Sequence, residues 1–229
     1  MNDLRIYIGW DKDEQEAYRV LVDSIKKHGD IDYEPLKSNR LRSSGLLTRL
    51  VDDRGQKYDL PSNAPCSTDF AVSRFLVPIL CQEGWALFMD CDMLFMCDPV
   101  DIMKHADPLK AVQVVKHRHV GEGLKMGGMI QTKYTRKNWS SVMLFNCNHP
   151  SHQRLSLYDI NNRPGRDLHQ FYWLDDNEIG ELPSEWNWLV GVDDKPANPK
   201  IAHFTLGGPW FDDWEPAEHD GLWLNARDG

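Results

Sequence analysis

Apolar and polar positions along this chain switch between a two-residue and a three-to-four-residue period, and the switches divide it into strands and helices. Residues 4–9, Leu-Arg-Ile-Tyr-Ile-Gly, form a short apolar run that predicts a first strand. Asp11 with Glu14 three residues later has the form of a helix start, and Ala17, Val20, Leu21, Ser24 and Ile25 then recur at helical spacing. Lys26, Lys27 and His28 before Gly29 suit the negative end of that helix. Residues 33–36 read as a second strand. The opening is therefore a parallel strand–helix–strand unit whose first turn, Gly9-Trp10-Asp11, lies at the carboxyl edge of a sheet. It lacks Gly-x-Gly-x-x-Gly, which disfavours a dinucleotide or P-loop site, because no glycine-rich loop lets backbone amides approach a pyrophosphate.

Residues 40–65 are polar and punctuated by Gly45, Gly55, Pro61 and Pro65, the pattern of a loop with short elements. Ser67 or Thr68 is expected to cap a helix that carries Ala71, Phe75 and Ile79 on one face as far as Cys81, kinked at Pro78 and ended by Gly84. Arg74 within it reads first as a surface cation or a salt-bridge partner. Residues 86–89 predict a strand buried on both faces, which ends in Asp90 and Asp92. In extended chain, residues two apart share a side, so both carboxylates converge while Cys91 points away. Two hard oxygen ligands with room for phosphate oxygens suit Mg2+ or Mn2+, and open α/β sheets bind ligands at the ends of such strands.

Farther on, residues 100–106 read as helix and residues 111–115 and 142–145 as buried strands. Between them, residues 117–137 hold Gly121, Gly123, Gly127 and Gly128 among lysines and arginines, the composition of a mobile loop. His117 and His119 there read as solvated histidines in preference to metal ligands, since no third ligand stands nearby. Residues 161–167 form a polar turn and residues 169–174 a helix-like stretch. Residues 201–204 predict a short strand carrying His203, and Gly207 and Gly208 beside it allow a backbone to come close to a ligand. Trp173, Trp186, Trp188, Trp210, Trp214 and Trp223 are expected to fill a small core, with one or two left to line a sugar cleft.

Composition narrows the function. In 229 residues, 41% hydrophobic and 27% charged, there is room for a single domain spanning residues 1–229, with no linker to divide it. A net charge of -9 with no basic stripe argues against nucleic acid as a partner. The five cysteines are irregularly spaced, which suggests neither a disulfide framework nor a zinc knuckle. No run approaches the ~18 apolar residues of a transmembrane segment, and no signal sequence precedes the first strand, so a cytoplasmic location is expected. For the same reason Asn138-Trp139-Ser140 reads as a chance match to a glycosylation acceptor.

Several segments together resemble the family-8 glycosyltransferases, the retaining GT-A enzymes that include glycogenin. They are residues 6–18, Arg74 in Ser-Arg-Phe-Leu-Val-Pro, Phe88-Met-Asp-Cys-Asp-Met-Leu-Phe95, Ser140-Ser-Val-Met-Leu-Phe-Asn146, Leu182-Pro-Ser-Glu-Trp-Asn187, and residues 203–210. The resemblance implies a GT-A fold with a Rossmann-like, mixed but mainly parallel central sheet flanked by helices. Residues 1–115 would mainly hold the nucleotide sugar, and residues 116–229 the acceptor and the metal-binding histidine. It further implies Mn2+ (or Mg2+) on Asp90, Asp92 and His203, bridging the diphosphate of a UDP-sugar as a Lewis acid for the leaving group.

By the same resemblance Ile8, Gly9, Trp10, Asp11 and Tyr18 hold the uridine. Arg74, Cys91, Gly207, Gly208 and Trp210 contact the donor, and Gln170 supports the anomeric centre, with Asp90 and Asp92 sharing in catalysis. The sequence also departs from the family. Where the family has His-x-x-Gly-x-x-Lys-Pro-Trp, Gly208 stands directly before Pro209, so a cation for the leaving group is missing. Arg74, Lys125, Lys133 and the amides of Gly207 and Gly208 are the candidates to replace it. Family Asp-Gln is here His169-Gln170, and Asn-Ser-Gly is here Trp139-Ser140-Ser141. The expected function is transfer of a hexose, with retention, to a carbohydrate, lipid-linked or protein acceptor. The alternatives are an inverting GT-A transferase with Asp175 or Asp176 as base, a non-catalytic nucleotide-binding protein, and a carbohydrate-binding module.

Overall fold

The first apolar run, broken only by the exposed Arg5, does form a strand, β1 (Leu4–Gly9). A computed structural model describes residues 4–54, 56–117 and 136–229. After β1, the Asp11 carboxylate accepts the Asp13 N–H and caps a 3-10 turn, Lys12–Glu14, that leads into α1 (Gln15–His28). The anticipated stripe of α1 is buried, and β2 (Tyr33–Leu36) returns parallel to β1. α2 (Ser38–Ser43) and three short strands, β3 (Val51–Arg54), β4 (Gln56–Asp59) and β5 (Ala64–Pro65), form an antiparallel appendage where the sequence reads as loop.

The helix expected from Ser67 to Cys81 is not continuous. Residues 68–72 turn, Ser73–Leu76 is a 3-10 helix, and only α3 (Val77–Cys81) is α-helical. Pro78 therefore does not kink a long helix. It occupies the first turn of a short one, where its fixed φ fits and its missing N–H would have had no intrahelical partner. β6 (Trp85–Met89) is buried as anticipated, followed by β7 (Met93–Phe95), the 3-10 helix Pro99–His105, β8 (Val112–Val114) and β9 (Val142–Asn146).

The reading of residues 161–174 is reversed in the structure. The polar stretch holds parts of α4 (Leu157–Asn162) and α5 (Gly165–His169), while residues 170–174 are turn, with Phe171 at φ 56°. Polar residues dominate α4 because Ser156 and Asp159 form a capping box at its start and its outer face is solvated. β10 (Ile179–Glu181), β11 (Trp188–Leu189), β12 (Ile201–His203) and α6 (Asp220–Asp228) complete the chain.

The central sheet runs β10-β8-β9-β6-β1-β2, with β9 antiparallel to both neighbours and the other pairs parallel. Both faces of β6 and β9 are buried, which explains their unbroken apolar sequences. A second sheet, β11-β12-β7, joins a smaller core of Val20, Leu94, Trp188, Phe204 and Trp223, so the tryptophan-rich C-terminal third does build its own core. Among the described residues no helix is long and apolar enough to cross a membrane.

Candidate active site

Pairing of β1 with β6 sets Ile8 opposite Met89, and pairing of β6 with β9 sets Met89 opposite Val142. Gly9, Asp90 and Ser141 thus emerge at one edge of the sheet. The Asp90 N–H donates to Ser141 O at 3.0 Å, closing the edge. The chain bends through Asp90-Cys91-Asp92 into β7, which pairs antiparallel with β12 so that Met93 faces His203. The Phe204 N–H donates to Asp92 O at 2.9 Å, which draws the histidine strand up to the aspartates. Ligand atoms of Asp90, Asp92 and His203 consequently lie within 4.8 Å of one another, all three residues buried.

Cys91 does point away. Its thiol lies 3.8 Å from the Glu14 carboxylate, and burial, with Glu14 and the two aspartates beside it, holds its pKa well above the ordinary value. His203 Nε2 stands 3.4 Å from Asp92 Oδ1 and has no hydrogen-bond partner among the described residues. Its Nδ1 lies 3.0 Å from Asn187 Oδ1. The Asn187 amide nitrogen donates to Ser141 Oγ at 2.9 Å and to Asn138 O at 3.4 Å, so the Asn187 oxygen must be the atom facing the histidine. Nδ1 therefore carries the proton and Nε2 presents its lone pair toward the aspartates. Two carboxylates and an imidazole locked in the ligating tautomer fit a divalent cation of the Mn2+ or Mg2+ kind.

Arg74 is not the surface cation its sequence position first suggests. It is buried, pairs with Asp90 Oδ1 at 2.9 Å, donates to Ser140 O at 2.8 Å and lies between the rings of Phe70 and Phe88. These groups open onto a cleft of about 320 Å³ lined by Arg74, Asp90, Lys137, Ser140, His169 and His203 among others. In its wall, Ser140 Oγ and His169 Nδ1 are 2.6 Å apart. Burial and the nearby Arg74 charge push the His169 pKa well below the ordinary histidine value, so the ring is neutral.

The remaining expected residues are divided between the cleft's surroundings and the core. Gln170 does not line the cleft, its neighbour His169 does, and the Gln170 carbonyl accepts from Arg136 at 2.6 Å. Ile8 is fully buried, and a Cβ on Gly9 would collide with the Phe70 ring, so glycine there serves close packing. Asp11 is tied to Lys57 at 2.7 Å and to the Asp69 N–H at 2.8 Å. Trp10 carries Lys37 over its ring at 4.8 Å. Tyr18 packs against the main core, and burial, with Tyr33 and Cys91 nearby, raises its pKa to about 12.

Trp210 folds over Gly208 and onto Phe204 and Trp223, and the Gly207 N–H is engaged by Phe204 O. His117 pairs with Asp193 at 3.3 Å and is not among the three grouped metal-ligand candidates. His119, Lys125 and Lys133 lie outside the described residues. Asp175 and Asp176 sit at the surface on Arg154 and Arg136 and do not line the cleft. Three residues of the site carry no chemical signature in the linear sequence: Asn187, His169 and Lys137. Each nevertheless falls in a stretch that the sequence marks: Asn187 ends Leu-Pro-Ser-Glu-Trp-Asn, His169 stands in the His-Gln pair of the resemblance, and Lys137 ends the glycine-rich stretch.

No protein-family model matches the chain. Among solved structures, the glycosyltransferase GlyE of Streptococcus pneumoniae TIGR4 superposes with a TM-score of 0.60 at 14% identity, covering 97% of this chain, which spans 59% of GlyE's length. The galactosyltransferase LgtC, solved in complex with donor and acceptor sugar analogs, superposes with a TM-score of 0.55 at 16% identity over 98% of this chain and 95% of its own. The fold, a mixed and mostly parallel sheet with flanking helices, is the one these GT-A glycosyltransferases share. In sequence, Protein CDI of Arabidopsis thaliana is 42% identical over 233 residues, 98% of this chain and 86% of that protein. By that identity across almost its whole length, the chain belongs to the family of Arabidopsis Protein CDI.

Proposed function

We propose that this protein is a metal-dependent glycosyltransferase of the family-8 type, moving a hexose from a UDP-sugar to an acceptor hydroxyl with retention at the anomeric carbon. The observation that carries the proposal is the convergence of Asp90, Asp92 and His203 at the mouth of the cleft, with the histidine held in its ligating tautomer by Asn187. Mn2+ or Mg2+ bound there supplies a Lewis acid for the diphosphate leaving group. Arg74 fixes the Asp90 carboxylate and ties it to the β9 edge through Ser140 O. The neutral His169–Ser140 pair and the hydroxyl-bearing residues Ser67 and Thr68 offer uncharged hydrogen-bonding groups suited to a sugar ring.

Ile8, Gly9, Trp10 and Asp11 at the carboxyl end of β1, with Tyr18 of α1, are assigned to uridine, the backbone of Cys91 and of residues 207–210 to the diphosphate, and Gln170, next to the cleft-lining His169, to the layer behind the sugar. The single domain spans residues 1–229, and the site draws on both its nucleotide half and its acceptor half. Retention is favoured over inversion because the only carboxylates named for a base, Asp175 and Asp176, are exposed and ion-paired at the surface. A carbohydrate-binding module is disfavoured because Trp173, Trp186, Trp188 and Trp223 are buried in core. A cytoplasmic enzyme accords with five free cysteines.

The test is calorimetric titration of UDP into the protein with and without Mn2+, repeated with Asp92→Ala. UDP binding that needs both the metal and Asp92 is expected, and consumption of a UDP-hexose then separates an enzyme from a binding protein. Equal UDP binding by the variant, or no dependence on Mn2+, would sink the reading.

A further inference from the structure

At the amino end of β6, opposite the end that carries Asp90, two cysteine side chains meet. α3 ends on Cys81, and the chain turns through Gln82, a non-glycine residue at φ 61°, and Gly84 at φ 76° before it enters β6. β9 leaves the sheet beside that turn. Its pairing with β6 sets Asn146 opposite Trp85, and the next residue, Cys147, donates its N–H to Gly84 O at 2.9 Å. Turn and strand end thus bring the two side chains together, with a hydrogen bond from the Cys147 thiol to the Cys81 sulfur. Both are free cysteines.

The two sulfurs are unequal. Cys81 is partly exposed, whereas Cys147 is buried. The Cys147 S–H, then the Arg5 charge and the Glu83 backbone, stabilise a thiolate at Cys81, so that its pKa falls from 9.0 to about 7 against the opposing effect of burial. The same hydrogen bond, and then burial, hold the Cys147 thiol above its ordinary value. Burial pushes Cys66 and Cys97 up to about 11 and Cys91 well above its ordinary value. Cys81 is therefore the cysteine that ionises near neutral pH, reachable from solvent and in contact with a protonated, buried partner. Thiolates are the attacking species in thiol–disulfide exchange, and a thiol whose pKa lies near the ambient pH attacks best. The partner needs no access of its own, because the sulfur it attacks belongs to its neighbour.

We propose that Cys81 and Cys147 are a reversible modification site, an attacking and a resolving cysteine that a low-molecular-weight disulfide such as glutathione disulfide converts to an intramolecular disulfide. The Cys81 sulfur bonds to one sulfur of the oxidant, whose S–S bond breaks and releases a glutathione thiolate. The Cys147 proton passes to that thiolate. The Cys147 sulfur then bonds to the Cys81 sulfur, and the bond from Cys81 to the second glutathione breaks. Two protein thiols are oxidised by two electrons, and one disulfide is reduced to two glutathione thiols. The new bond ties the end of α3 to the end of β9. α3 continues the 3-10 helix that carries Arg74, and β9 follows the turn that carries Ser140, so the cross-link joins the far ends of two segments that Arg74 already links through Ser140 O. The site does not depend on the donor-site reading above.

The experiment treats the reduced, native full chain with glutathione disulfide near neutral pH, beside Cys81→Ser and Cys147→Ser, then alkylates the remaining thiols and maps the products by mass spectrometry. Wild type is expected to lose two hydrogens and to yield a cross-linked peptide pair carrying Cys81 and Cys147, with Cys66, Cys91 and Cys97 alkylated. Dithiothreitol should restore both thiols. Cys147→Ser should stop at a mixed disulfide of Cys81 with glutathione, and Cys81→Ser should leave Cys147 a thiol. A second readout is the pH dependence of Cys81 alkylation by iodoacetamide. Its midpoint should lie near 7 in wild type and move up toward 9 in Cys147→Ala, which removes the hydrogen bond to the thiolate. A wild-type chain that keeps both thiols, a cross-link between other cysteines, or a Cys81 that reacts no faster than Cys66 and Cys97 would overturn the proposal. Neither UDP nor metal enters this assay, so its outcome and that of the UDP titration are read separately.

Discussion

Asn187 shows how much at the residue scale depends on one buried amide. It is fully buried, its oxygen faces His203 Nδ1, and its nitrogen reaches Ser141 Oγ and Asn138 O. Replacing it by aspartate would keep an acceptor for the imidazole but would point a carboxylate at the Asn138 carbonyl, and alanine would free the ring to rotate. Outer partners of this kind are worth about 10- to 100-fold in metal affinity. Asn187→Ala should therefore weaken Mn2+ binding by such a factor while the fold persists, read from Mn2+ resonance titration beside a thermal melt; unchanged affinity would mean that Asn187 does not orient a ligand. Asp90 and Asp92 were legible because they end a wholly apolar strand, and His203 because glycines follow it. The segments that hold Asn187, Ser140 and His169 were marked by the resemblance, but the roles of these residues were not legible, since they come from the 3-10 turns before β11 and β9 and the end of α5 meeting at one edge, and polar residues at such meeting points look like loop residues in the linear sequence.

The element that the sequence conveyed least is the β3-β4-β5 appendage, which buried ion pairs tie to the rest of the molecule: Asp59 of β4 to Arg49, and Lys57 to Asp11 and Asp69. Lys57 on β4 is buried against Asp11, which caps the turn before α1, and lies 3.0 Å from Asp69 in the segment leading to Arg74. Burial by itself would lower the Lys57 pKa, but its hydrogen bonds and charge attraction to Asp11 and then Asp69 raise it overall, so the ammonium stays charged. Removing one partner of a buried pair leaves the other uncompensated, at about 3–5 kcal/mol. Lys57→Met should cost about that in urea denaturation, and the Asp11→Asn, Lys57→Met double variant clearly less than the sum of its parts. Additive losses would show that the two groups act independently. Elements such as β1, α1, β6 and β9 could be read because apolar period or capping marks them. The polar strands and the short α4 and α5 could not, because capping and long-range pairing hold them in place of a local hydrophobic stripe.

Across the whole molecule, the main sheet is covered tightly enough to enclose a histidine that pays for its position in acid. His152 lies in the 3-10 helix Pro150–Arg154, its Nε2 3.0 Å from Ala111 O at the start of β8 and its ring edge-on to Phe145 of β9. Burial lowers its pKa from 6.5 to about 4, against the opposing hydrogen bond to Ala111 and with help from the nearby His149. Between pH 6.5 and about 4 the unfolded chain therefore binds a proton at this position that the folded chain does not, and stability falls as pH falls through that window. Discounted for partial exposure, the effect is on the order of 2 kcal/mol at its lower end. His169, whose pKa burial also lowers, acts in the same direction. Carboxylates contribute to acid unfolding as well, so the histidine is isolated by comparison with His152→Gln, which keeps an amide donor and has no proton to gain. The urea midpoint of wild type should drop more steeply than that of the variant between pH 7 and pH 4.5, the gap opening with the titration of an ordinary histidine. Parallel profiles would show that the cover over β8 and β9 opens readily enough for water to reach the ring, and that the sheet is less tightly closed at this end than its buried strands indicate.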